Sequence, residues 1–155
     1  MTISLGPSVL DSSLYIPDLR PRRRESVLHE LIACAHRAKA IRDPELLLET
    51  LTLRERLGCT ALGKGVAVPN ARSITVVEPR LVIARSRRGI DWRAADEVPV
   101  QLVLLVLSPG ECSLEAHHDL LALAASAARL QRTRQRLIDA EGFEEVASVM
   151  RELGS

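Results

Sequence analysis

Arg54-Glu55-Arg56-Leu57-Gly58-Cys59-Thr60-Ala61-Leu62-Gly63-Lys64-Gly65-Val66-Ala67-Val68-Pro69-Asn70-Ala71-Arg72 is the stretch on which the reading of this chain turns. It opens on the charged end of a helical pattern, passes through Gly58, Gly63 and Gly65, and closes on a β-branched run stopped by Pro69. Gly58 to Lys64 comes close to a phosphate-binding loop, GxxxxGK followed by Ser or Thr. Gly65 stands where the Mg²⁺-holding hydroxyl would be. The context is also reversed, because that loop needs a strand before it and a helix after it. Nucleotide hydrolysis here is not expected. A tight turn in which two glycines supply positive φ is.

Working outward, Asp43-Pro44 makes a good helix start, an N-cap acceptor followed by proline at the first helical position. Leu46, Leu47, Thr50, Leu51 and Arg54 follow at helical spacing, and Gly58 is placed to stop that helix. Further back, Val27, Leu28, Leu31, Ile32, Ala35 and Ala38 predict a helix from Pro21 to about Ala40. A short strand is expected around Leu14 to Ile16. Downstream the period changes. Val66 to Val68, Ile74 to Val77, Leu81 to Arg85 and Val100 to Leu107 read as strands bounded by Gly and Pro. Val100–Leu107 is apolar almost throughout, as a central strand covered on both faces would be. Ser108-Pro109-Gly110 ends it, and an alanine-rich helix runs from Leu114 to Leu130, capped by Ser113. Two shorter helices separated by Gly142 complete the chain. A sheet sandwiched between helical layers accounts for this order, an α/β (α+β) arrangement in a single domain, 1–155.

Composition narrows the function. With a formal net charge of +1 over 155 residues, no global field recruits nucleic acid or an anionic membrane. Tyr15, Trp92 and Phe143 are the only aromatics, too few for a base-stacking surface, so the core must be built from Leu, Val, Ile and Ala. Arg20-Pro21-Arg22-Arg23-Arg24 has no interleaved aromatic and reads as a solvated helix entrance. Cys34, Cys59 and Cys112 are an odd, widely spaced set, suited to reduced thiols in a cytoplasmic protein. No run approaches the ~20 apolar residues of a membrane span. The first residues lack the layout of a secretory signal. No cofactor is implied. A metal site is not expected either, since the adjacent His117 and His118 cannot face one ion from a single helical side.

The run from Arg54 to Arg72 is similar to the signature of enzyme IIA of the phosphotransferase system, fructose/mannitol/nitrogen-regulatory type. That signature reads, in outline, RE-x-LG-x-T-G-[IL]-G-x-G-[IV]-A-[IV]-P-H. Nearly every position agrees until the last, where Asn70 stands in place of histidine. The similarity extends to Glu115-Ala116-His117-His118-Asp119-Leu120-Leu121-Ala122 and covers the chain from about Leu14 to Leu153. It implies a three-layer α/β/α sandwich around a mixed sheet. It also implies a protein that accepts a phosphoryl group from a small phosphocarrier protein and passes it to a sugar permease, or uses it as a regulatory mark.

Carried onto this chain, the resemblance places the acceptor position at Asn70, the active-site arginine at Arg54 and the second active-site histidine at His117. His118 is exchangeable with His117, and Thr60, Gly63 and Gly65 belong to the adjoining binding loop. A neutral imidazole accepts phosphate because it carries an in-plane lone pair near pH 7. The amide nitrogen of Asn70 has its lone pair delocalised into the carbonyl and cannot. The leading expectation is therefore a regulatory binding protein that no longer carries phosphate and acts on transporters, channels or sensor kinases. The alternative is an active carrier that uses His117 or His118. A third is binding of phosphate or a phosphorylated metabolite at the vacated position.

Overall fold

The computed structural model describes residues 8–155. The elements are β1 (Tyr15–Ile16), α1 (Arg24–Arg37), α2 (Pro44–Leu57), β2 (Ala61–Gly63), β3 (Val66–Ala67), β4 (Asn70–Ser73), β5 (Arg80–Ile90), β6 (Val100–Pro109), α3 (Leu114–Ser126), α4 (Gln131–Asp139) and α5 (Phe143–Gly154). The strands form one mixed sheet in the order β1-β5-β6-β3-β2, with β4 also paired to β6. β5 and β6 are antiparallel, while β3 and β4 run parallel to β6.

Alternation along β6 explains the layers. Val103, Leu105 and Leu107 enter one core with Val27, Leu31, Leu47 and Leu51 from α1 and α2. Leu102, Leu104 and Val106 enter the other with Leu120, Leu137 and Val146 from α3, α4 and α5. A strand buried on both faces needs apolar residues at every position, and Val100–Leu107 supplies all but Gln101. Trp92 is the one large aromatic in the first core. The expected α/β/α sandwich is the observed one.

Most predicted elements appear with shifted ends. α1 begins at Arg24, three residues after Pro21, because Arg22 and Arg23 are held extended beside β5: the Asp91 N–H donates to the Arg22 carbonyl, and Arg23 bridges Asp91. It ends before Lys39, which is in the left-handed region at φ 62. Asp43 caps α2 by accepting from the Leu46 N–H, and Ser113 caps α3 by accepting from the Ala116 N–H. Gly58 does stop α2, but in an extended conformation, φ 175, and without the left-handed turn that usually selects glycine there. α3 stops at Ser126, short of Leu130.

One predicted strand is corrected. Ile74–Val77 forms a turn after β4, with Ile74 exposed and only Val76 bridged to Ile41. The β-branched run is spent differently, because Thr75 Oγ1 accepts from the Arg42 and Asp43 N–H groups and secures the entrance to α2. The strand beside the end of β6 is instead β4, Asn70–Ser73, in register with Val106–Pro109. β3 and β4 lie in series along one edge of β6, interrupted at Val68-Pro69, where proline offers no N–H but its carbonyl accepts from Val106.

A buried arginine ties the sheet to the second helical layer. Arg85 Nη1 donates to the carbonyls of Leu137, Ile138 and Ala140. Those are among the acceptors that the end of a helix leaves unsatisfied, and a cation there is favoured by the helix dipole.

Candidate functional site

Asn70 opens β4 opposite Val106, so their side chains share the face of the sheet that carries α3. Arg72 and Ser108, two positions further along β4 and β6, are on the same face. From α3 comes His117, which is 5% exposed. Its Nδ1 is 2.7 Å from Ser108 Oγ and its Nε2 is 3.3 Å from Asn70 Oδ1. Asn70 Nδ2 donates to the Val68 carbonyl at 3.0 Å.

These contacts determine every proton position. The Val68 carbonyl only accepts, so the amide turns its Nδ2 there and presents Oδ1 to His117. Oδ1 also only accepts, so Nε2 of His117 is the protonated nitrogen. Burial, with the nearby His118 and Arg72 side chains acting in the same direction, holds the His117 pKa below the ordinary imidazole value and favours the neutral ring. Nδ1 then carries the lone pair, and the Ser108 hydroxyl donates to it. His117 thus has one nitrogen protonated and the other occupied. His118 is exposed on the next position of α3, its ring 6.2 Å from that of His117.

The other residues singled out by the sequence lie around this chain of hydrogen bonds without joining it. Arg54 is on α2, which packs against β4, yet its Nη1 donates to the Gly58 carbonyl at 2.9 Å and closes its own helix end. Thr60 is buried, and both its N–H and its hydroxyl donate to the Glu55 carboxylate. Arg24 Nη1 lies 3.6 Å from Glu55 Oε2. Glu55 therefore binds α1 and α2 to the loop that leads into β2. That loop is held to the link between β3 and β4 as well, because the Thr60 carbonyl accepts from the Val68 N–H.

Gly63 and Gly65 do supply the positive φ expected of them, 87 and 82, on either side of Lys64 at 57. The turn is not an open phosphate cradle. The Lys64 N–H donates to Asp96 Oδ2 at 2.7 Å, and a Cβ on Gly63 would meet the same oxygen at 3.1 Å. Gly65 precedes Val66, which is paired with Leu102, four positions before Val106. At ~3.3 Å per residue the turn stands ~13 Å along the sheet from Asn70.

Sequence reasoning missed Ser108, Arg72 and Glu55. The first two were legible in principle, since alternation from Val106 puts Ser108 on the α3 face. Finding them required knowing that β4 pairs in register with β6, which no local signal specifies.

The family follows from comparison with known proteins. The chain belongs to the EIIA 2 family of the phosphoenolpyruvate-dependent sugar phosphotransferase system, whose model matches residues 8–153. It is 31% identical over 135 residues to the nitrogen regulatory protein of Bradyrhizobium diazoefficiens, with 87% of each chain covered. It is 29% identical over 133 residues to the fructose-specific EIIA component of Haloferax volcanii, with 86% of each covered. The crystal structure of nitrogen regulatory protein IIA-Ntr from Neisseria meningitidis has the same fold, with a TM-score of 0.85 at 28% identity, covering 95% of this chain and 99% of that one. The chain spans 21% of the length of another relative, the fructose-specific EIIABC component of Bacillus subtilis. Among the described residues no helix is long and apolar enough to cross a membrane.

Proposed function

We propose that this enzyme IIA-like chain is a regulatory binding protein of the cytoplasm that does not carry phosphate, and that it acts on transporter, channel or sensor-kinase targets. The observation behind this reading is the amide of Asn70 at the acceptor position, bonded on one side to the Val68 carbonyl and on the other to His117 Nε2. Phosphoryl transfer to nitrogen requires an in-plane lone pair directed at phosphorus, and a carboxamide has none on its nitrogen. Losing the residue that forms the covalent intermediate removes the reaction even when its neighbours stay in place. The site would then hold one fixed, unphosphorylated state, and a partner reading that surface would meet the same charge at all times.

The alternative carrier role falls on His117 or His118. His117 is poorly suited to it: Nε2 bears a proton, and the Nδ1 lone pair accepts from Ser108 in a buried setting. Attack would require breaking one of these bonds and bringing a donor protein's phosphate into in-line contact with a covered atom. His118 is the exposed imidazole beside it, and it is the residue on which the alternative depends.

Intact-mass measurement after mixing the chain with phosphoenolpyruvate, the first phosphotransferase enzyme and its phosphocarrier protein tests the proposal. The unchanged chain should show no adduct. Asn70→His should gain one acid-labile phosphoryl group, lost again in Asn70→Gln. A stoichiometric adduct on the unchanged chain that disappears in His118→Ala would establish the carrier reading in its place.

A further inference from the structure

The arginine-rich entrance to α1 is not spent on solvent alone. Arg22 and Arg23 line a cleft of ≈ 720 Å³ together with Arg93, and its walls include Ile90, Trp92 and Pro99. The cleft lies at the beginning of β6, beside Val100, whereas Asn70 is opposite Val106. At ~3.3 Å per residue the two places are ~20 Å apart along the strand.

Three features distinguish this cleft from an ordinary charged surface. The first is that its cations are uncommitted. The ion pairs among the described residues are Arg24–Glu25, Arg24–Glu55, Arg80–Glu78 and Arg136–Glu152, so Arg22, Arg23 and Arg93 have no carboxylate partner there. Two carboxylates, Asp91 and Glu97, also line the cleft. Asp91 Oδ1 is occupied in accepting from the Arg93 N–H. The larger groove between α4 and α5, ≈ 820 Å³, lacks this property at Arg136, which is paired with Glu152.

The second feature is the backbone that presents Arg93. Its φ is +62, the left-handed region, where a side chain with a Cβ is disfavoured and glycine is not. Lys39, Lys64 and Glu97 share that region, and Glu97 lines the same cleft, so two of its charged residues are presented from left-handed backbone. The third is Trp92. It is buried, forms part of the wall, and its indole N–H has no acceptor among the described residues.

We infer that this cleft binds a nucleoside di- or triphosphate, its phosphate chain spanning the guanidiniums of Arg22, Arg23 and Arg93 and its uncharged body resting on the exposed side chains of Val98 and Pro99. Each guanidinium is a planar fork matched to two phosphate oxygens. Three such forks arriving from two chain segments suit the row of terminal oxygens along a phosphate chain. The volume is in the range of cofactor-sized sites, and the apolar wall provides contact for the rest of the ligand. The glycine loop takes no part in this site: none of its residues lines the cleft, and its Lys64 N–H is taken by Asp96.

Trp92 is the sole tryptophan of the chain, so its fluorescence reports on the cleft directly. Titration of the full chain with ATP and, separately, with inorganic pyrophosphate should give a saturable change. Its apparent Kd should rise tenfold or more in Arg22→Ala/Arg23→Ala and in Arg93→Gly. The glycine variant is the decisive one, because it removes the cation while relieving the left-handed backbone. Its melting temperature should equal or exceed that of the unchanged chain although binding is lost. Tight pyrophosphate binding with no gain from the nucleoside would overturn the nucleotide assignment. No saturable response to either probe, unaltered affinity in the variants, or tighter binding of an acidic peptide than of ATP would each overturn the site itself.

Discussion

His117 shows how one buried ring sets the chemistry of its surroundings. Its neutral state is held by desolvation, and its two nitrogens are assigned to Asn70 and Ser108 by what those partners can accept or donate. A base whose folded pKa is lowered binds fewer protons in the native state than in the unfolded one. Stability therefore rises with pH between the lowered value and about 6.5, the ordinary imidazole value. The contribution is complete above that window and is lost as pH falls through it. Urea midpoints measured across this range should show the slope in the unchanged chain and lose it in His117→Asn. The His117 imidazole resonance, followed by NMR, should titrate below 6.5. A midpoint above that value would contradict the proton assignment, and with it the argument that Nδ1 is blocked.

Among the elements, the connections carry more information than the helices. The link from β5 to β6 must bring Pro99 close over Gly89. Gly89 has φ 82, and a Cβ there would lie 2.7 Å from Pro99 Cβ. Gly142, between α4 and α5, is extended at φ −172, and nothing lies within 4 Å of a Cβ placed on it. Gly89→Ala should cost at least about 1–2 kcal/mol from the left-handed conformation, before any clash is counted. Gly142→Ala should stay within about 0.5 kcal/mol of the parent, as substitutions away from special backbone features do. Denaturant unfolding of both variants checks the contrast. The Glu55 link belongs to this level too, since one carboxylate joins Arg24 of α1, its own helix α2 and Thr60 of the following loop.

Considered as a packed body, the molecule has two cores that share β6. Leu104 and Leu105 are adjacent in sequence and both fully buried, yet they belong to opposite sides of the sheet. Leu104→Ala and Leu105→Ala should each cost about 2–5 kcal/mol through lost burial and the cavity left behind. Because neither core exists without the strand, both variants should melt in a single transition at a lower temperature. Two resolved calorimetric transitions in either variant would show that the cores are independent.

The amino-acid order alone specified the layers, the central strand and the position of the glycine turn. Those features depend on local periodicity and on glycine's backbone freedom: the unbroken apolar run of β6, the helical spacing in α1 and α2, and positive φ at Gly63 and Gly65. Asn70 and His117 were also visible, through a signature rather than a pattern. What remained hidden were the partners. Ser108 meets His117 because α3 packs on the face of β6 from which Ser108 projects, and Asp96 reaches Lys64 across 32 residues of chain. Ile74–Val77 has the composition of a strand but lost its place at the sheet edge to Asn70–Ser73. Pairing of this kind is a competition among segments distant in sequence for one row of hydrogen-bonding groups. Its outcome depends on where the chain can reach, which is a property of the folded arrangement and of no single segment.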